Sequence, residues 1–162
     1  MITTSIPLRH LHLAWPDLWP LLEPAAKRAP NQPDACPACP ERSRREPAEW
    51  VLARLIAGDA QLWAILEDGK PVAAVVTQIT FTPSAAEGPE PEKRCLLWLI
   101  GGSRVDEWAA GFLARIETWA RAWGCVAIWG AGRSGWSRIV RRFGGERIAD
   151  VDGEPAWERR IA

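Results

Sequence analysis

The chain has 162 residues, of which 48% are apolar and 25% charged, and its twenty basic side chains equal its twenty acidic ones. That length suits one domain with a buried core, and the composition excludes a disordered chain, a collagen-like repeat and a helical membrane span. A formal charge of zero gives no global electrostatic drive toward DNA, RNA or an anionic membrane, so neither nucleic acid nor membrane is expected as a partner.

Met1 to Leu13 has no basic stretch followed by a sustained apolar run, so no secretory signal is expected and the cytoplasm is the expected compartment. His10 and His12 alternate as two rings on one face of a strand do. Trp15 to Ala29 has helical patterning but contains Pro16, Pro20 and Pro24, and the latter two are expected to kink the helix or break it into short turns. Pro30 to Pro47 has too few apolar residues to pack and reads as a flexible insertion, at about 30–47, within a single domain spanning 1–162. Its Cys36-x-x-Cys39 has zinc or redox spacing. No second pair follows, however, and Pro37 and Pro40 argue against a thioredoxin-type helix start, so no metal is expected.

Pro47 to Ala57 places Trp50, Val51, Leu52, Leu55 and Ile56 on broadly one helical face, and Gly58 stands where a helix stops. Ala60 to Glu67 and Pro71 to Thr82 are apolar runs joined by Asp68-Gly69, which predicts an antiparallel hairpin. After a polar loop, Pro83 to Pro91, the continuous apolar run Arg94 to Ile100 predicts a central strand buried on both faces. Gly101-Gly102 ends it. A helix is predicted from Ser103 to about Trp123, with apolar residues repeating at three and four and Asp106 three positions after Ser103 as a capping pair.

Cys125 to Trp129 reads as a second buried strand, Gly130 to Gly135 as a turn and Trp136 to Phe143 as a short basic helix. Glu146 to Val151 and Pro155 to Ile161 read as a final hairpin across Asp152-Gly153. The sum is an α/β chain with a mixed sheet flanked by helices, whose central strand–helix–strand step implies a parallel pair with a right-handed crossover. Cys95 and Cys125 fall in apolar runs and are expected to be buried free thiols. The eleven Trp show no fixed period and are expected to fill the core, while the absence of Tyr removes any phenolic acid.

Chemistry concentrates at Ile100-Gly101-Gly102-Ser103-Arg104, where a buried strand passes into a helix N-terminus whose free amides and dipole favour an anion such as pyrophosphate. The same glycines also suffice for a tight strand-to-helix turn with Ser103 as cap. Arg133, Arg138, Arg141, Arg142 and Arg147 form one local basic excess, able to hold a phosphate or an acidic partner or to serve as a solvated helix face.

The order of elements, with Arg104-Val105-Asp106-Glu107-Trp108-Ala109 after the central strand and Gly135 to Ile148 near the end, resembles the GNAT superfamily of N-acetyltransferases from about Trp15 to Ile161. In that family the loop pattern Arg/Gln-x-x-Gly-x-Gly/Ala holds the coenzyme A pyrophosphate; here Arg104 and Ala109 match and Glu107 replaces the middle glycine. The resemblance implies a GNAT-like fold with a central, mostly antiparallel mixed sheet, and acetyl-CoA as cofactor at Ile100, Gly101, Gly102, Ser103, Arg104 and Ala109. It further implies acyl-CoA-dependent transfer of an acetyl group to an amine acceptor, and Glu67 and Asp68 are candidate bases, although a solvated turn also explains them. The Trp-rich pattern is also similar to small GNAT-like proteins of tailed phages and prophages. That likeness implies an alternative, a non-catalytic virion component or host-protein binder, favoured by Glu107 and the missing Tyr.

Overall fold

Asp68 and Gly69 adopt φ of 49° and 77°, and Asp152 and Gly153 adopt 53° and 79°. Two consecutive left-handed residues make a tight turn whose twist matches that of a two-stranded ribbon. In chain order the computed structural model, which describes residues 1–29, 47–82, 90–133 and 135–161, contains β1 (Ile2–Ser5), α1 (Leu11–Arg28), α2 (Pro47–Ala57), β2 (Ala60–Glu67), β3 (Lys70–Phe81), β4 (Lys93–Gly102), α3 (Val105–Ala122), β5 (Ala127–Ala131), α4 (Trp136–Arg142), β6 (Glu146–Val151) and β7 (Glu154–Arg160). The seven strands follow the order β1-β2-β3-β4-β5-β7-β6, with β4 and β5 parallel and the sheet otherwise mostly antiparallel. This is the expected mixed α/β architecture, including the parallel central pair. The insertion at about 30–47, with Cys36 and Cys39, lies outside the described residues except for Pro47, which opens α2. Chain contacts define two compact units, Met1–Val76 with Leu99–Ser103, and Thr77–Trp98 with Arg104–Ala162; β3 and β4 run through both.

In the first unit, α1 buries Leu11, Leu18, Leu22 and Ala26 along one stripe. It contains Pro16, Pro20 and Pro24 within one continuous helix, where a kinked or broken segment was expected. The three prolines are spaced by four and all are exposed. The hydrogen bonds they delete therefore fall on the solvent side, where water satisfies the freed carbonyls of His12, Pro16 and Pro20. His10 closes a 3₁₀ turn and His12 lies in α1, so the strand read from their alternation is not there. The N-terminal strand is instead β1, paired antiparallel with β2 from Ile2↔Leu66 to Ser5↔Trp63. α2 contributes Trp50, Val51 and Leu55 to a core completed by Leu62, Trp63, Ile65, Val75 and Val76.

In the second unit, α3 turns Trp108, Ala109, Phe112, Ile116 and Ala120 inward, spaced as the three-and-four pattern predicts. Cys95, Ile128, Ala156 and Trp157 are buried in the same unit. An ion pair from Arg159 on β7 to Glu117 on α3, at 2.8 Å, ties strand to helix. Four of the eleven Trp are buried, at positions 50, 63, 108 and 157, and the other seven are half-buried or exposed, so fewer fill the core than expected. Truncating one such ring costs about 3–5 kcal/mol. Both thiols are free and buried, as expected. Burial, reinforced by Cys125, pushes the Cys95 thiol up to about 12; burial also raises Cys125.

Candidate functional site

β4 carries Leu99 into the core and delivers Ile100, half-buried, to the paired glycines. A Cβ on Gly101 would overlap the Leu21 carbonyl oxygen and stand 2.6 Å from its carbon and 3.1 Å from the Leu22 nitrogen. Gly102 has φ +114°, and a Cβ there would lie 2.5 Å from the Ala73 Cα. Both glycines thus let β4 approach the backbones of α1 and β3 more closely than any side chain permits. The Ser103 amide donates to the Val72 carbonyl at 3.2 Å, so this N–H is committed within the first unit.

The helix begins one residue later than the capping pattern predicts. Arg104 is the N-cap of α3, in the left-handed region at φ 58°, and its own side chain makes no capping hydrogen bond. The close approach of Gly102 and the Ser103 bond to Val72 hold the backbone so that Arg104, and not the expected Ser103, stands at the N-cap. The amides of Val105 and Asp106 open the helix, where no preceding turn supplies acceptors, while the Glu107 amide donates to the Arg104 carbonyl at 3.0 Å. Ala109 lies one turn on, in the buried face.

Charge is balanced locally. Arg104 Nε donates to Glu107 Oε1 at 2.8 Å, with a second bond from its terminal nitrogen to Oε2. This bond from Arg104 holds the Glu107 carboxyl below its ordinary value. Asp106 accepts from Arg142 of α4 at 3.0 Å. The helix dipole is therefore met by two carboxylates, each carrying an arginine. Trp108 is buried and packs edge-on against Phe112 at 5.8 Å. The first-turn amides with the Arg104 and Arg142 guanidinium groups suit a pyrophosphate, provided that the anion replaces the carboxylates as their partner.

Of the remaining basic residues, Arg147 pairs with Asp150 and lies over the Trp157 ring, while Arg133, Arg138 and Arg141 are exposed around α4. Glu67 ends β2, half-buried, and Asp68 is the exposed first residue of the hairpin turn. The tip they occupy is about four residues beyond the β3 segment that meets Gly102, or roughly 13 Å of extended chain.

A cluster that motif reading did not find spans four strands of the second unit. The Arg94 guanidinium lies 4.8 Å from the Trp129 ring centroid and donates to Glu158 at 2.8 Å. Trp129 Nε1 donates to Thr80 Oγ1 at 2.9 Å, and Thr80 in turn donates to the Arg94 carbonyl. The one signal in the sequence is a lone Arg at the head of an apolar run. This network secures the region where β4 and β5 pair in parallel, through Arg94↔Ala127, Cys95↔Ile128 and Leu96↔Trp129. Both strands run on past that ladder, β4 to Gly102 and β5 to Ala131, where β5 is paired with β7. Among the described residues no cluster of three or more His, Cys, Asp or Glu could hold a metal ion, and no helix is long and apolar enough to cross a membrane.

No family model and no curated protein matches the sequence. Solved structures do match it. An agmatine N-acetyltransferase superposes with TM-score 0.63 at 12% identity, covering 99% of each chain. An aminoglycoside 6'-acetyltransferase type Ii gives 0.62 at 12% identity over 100% of this chain and 98% of its own. A predicted acetyltransferase from Clostridium acetobutylicum, solved with acetyl-CoA, gives 0.57 at 13% identity over 93% and 91%. At such identities the likeness is one of fold, and the fold is that of the GNAT acetyltransferases.

Proposed function

We propose that this chain is an acyl-CoA-dependent N-acyltransferase that moves an acetyl group from acetyl-CoA to an amine. The observation that carries the reading is the parallel β4–β5 ladder, confined to three residue pairs, in a chain whose whole length follows the acetyltransferase fold. Bound acetyl-CoA supplies a thioester carbonyl open to attack by a neutral amine. The chain's own part is to bind and orient. The Val105 and Asp106 amides and the Arg104 guanidinium hold the pyrophosphate, at the end of the segment Ile100, Gly101, Gly102, Ser103. Ala109 keeps the first turn of α3 close to the core. Glu67 and Asp68 are the candidate bases for the amine proton, Glu67 being the less exposed. The thiolate leaves as the C–N bond replaces the C–S bond.

Thermal unfolding with acetyl-CoA and with desulfo-CoA tests this. A ligand at 100 times its dissociation constant adds about 2.7 kcal/mol, which raises Tm by roughly 5–10 °C for a chain of this size. No shift with either compound removes the enzyme reading. It leaves the alternative of a non-catalytic phage or prophage protein that binds a host or virion protein, which the Glu107 carboxylate at the helix mouth and the lack of Tyr favour.

A further inference from the structure

We infer that Arg104 and Glu107 form a latch over the mouth of α3, an internal carboxylate that competes with the incoming polyphosphate for the same guanidinium and the same helix end. The inference rests on the acyl-CoA reading and describes how that site is regulated.

Three observations carry it. The pair is bidentate, so the edge of the Arg104 guanidinium formed by Nε and one terminal nitrogen, a fork able to grip a phosphate, is occupied by Glu107. Arg104 is held left-handed at φ 58°, a backbone state that fixes where its side chain starts, and Glu107 stands one turn along the same helix. Both side chains are also about half exposed, at 42% and 52%, so the latch opens by rotation of side chains without disturbing the core. Asp106 repeats the arrangement with Arg142 across to α4, again with both side chains exposed. A polyphosphate that displaces the Glu107 carboxylate gains Arg104 and the first-turn amides together, whereas the released carboxylate turns to water. The cost of opening is that of one exposed ion pair, which keeps the competition within a few-fold in affinity. The latch therefore tunes occupancy of the site without abolishing it.

A double-mutant cycle read by isothermal titration with desulfo-CoA tests the latch, using Glu107→Gln, Arg104→Gln and the double variant. Gln keeps the helical propensity at 107, and both positions are exposed, so unchanged melting checks the fold. Glu107→Gln is expected to tighten binding about three- to five-fold when Arg104 is present, and to give less than half of that gain when Arg104 is Gln. An equal gain in both backgrounds reduces Glu107 to simple like-charge repulsion and overturns the latch, as does no gain in either. If none of the four proteins binds desulfo-CoA at millimolar concentration, the acyl-CoA reading itself falls, an outcome separate from binding without coupling.

Discussion

Replacing Gly101 with Ala puts one methyl group where β4 meets α1. Its Cβ would stand 2.6 Å from the Leu21 carbonyl carbon, 0.8 Å inside the 3.4 Å edge of ordinary contact, and would overlap the carbonyl oxygen. The obstacle is helix backbone, which cannot rotate aside as a side chain does, and Leu18 and Leu22 hang from the same turns at 2% and 0% exposure. Relief therefore means moving α1 off its packed stripe. Overpacking costs about 1–3 kcal/mol, and a backbone neighbour puts this site at the upper end, near ~3 kcal/mol. At roughly 2–4 °C per kcal/mol, Tm should fall by about 6–12 °C in a calorimetric melt. Gly130→Ala is the matched control, because its Cβ would meet Leu97 at an ordinary 3.6–3.7 Å; its Tm should stay within about 2 °C. If Gly101→Ala melts with the parent protein and loses only coenzyme affinity, the glycine serves as a phosphate cradle and the packing argument is wrong.

Other consequences follow from the same geometry. Gly102→Asp places a side chain 2.5 Å from the Ala73 Cα at a φ of +114°, so it should lower Tm whether or not ligand is present, as a melt without coenzyme would reveal. Pro20→Ala restores an exposed helix bond and should stabilise by about 1–3 kcal/mol; an unchanged urea midpoint would mean that α1 is already broken there. Glu158→Gln leaves Arg94, whose side chain is only 14% exposed, without its counter-charge and should cost about 3 kcal/mol in urea unfolding. Cys95 is raised from 9.0 to about 12, so the unfolded chain releases this proton first. Stability from the retained proton is intact below pH 9 and declines toward pH 12 by about 1.4 kcal/mol per pH unit. The stability gap between the parent and Cys95→Ala should accordingly shrink between pH 8 and pH 10, and a constant gap would place Cys95 in water.

What the sequence made legible was local. The Asp-Gly turns, the three-and-four repeat of α3 and the apolar runs of β4 and β5 each carry their signal within a few residues, and they yielded the hairpins, the long helix and the parallel pair. β1 escaped notice because Ile2-Thr3-Thr4-Ser5 is short and its partner lies some sixty positions away. The continuity of α1 depended on all three prolines sharing the solvent side, which a residue-by-residue penalty does not register. At the candidate site, the anion-binding helix mouth and its Glu107 substitution were readable, but the shift of the N-cap from Ser103 to Arg104 was not, since Val72 and Ala73 impose it from another strand. The Arg94–Trp129–Thr80–Glu158 network depends on cross-strand register and had no motif to announce it.

The most direct measurement of the central claim is an amide spectrum of the ¹⁵N-labelled protein titrated with desulfo-CoA. The account predicts that the Val105 and Asp106 resonances move first and furthest, with the Arg104 side-chain signal shifting alongside them, while Ser103, already bonded to Val72, moves less. A titration that saturates with those two amides unmoved would contradict it.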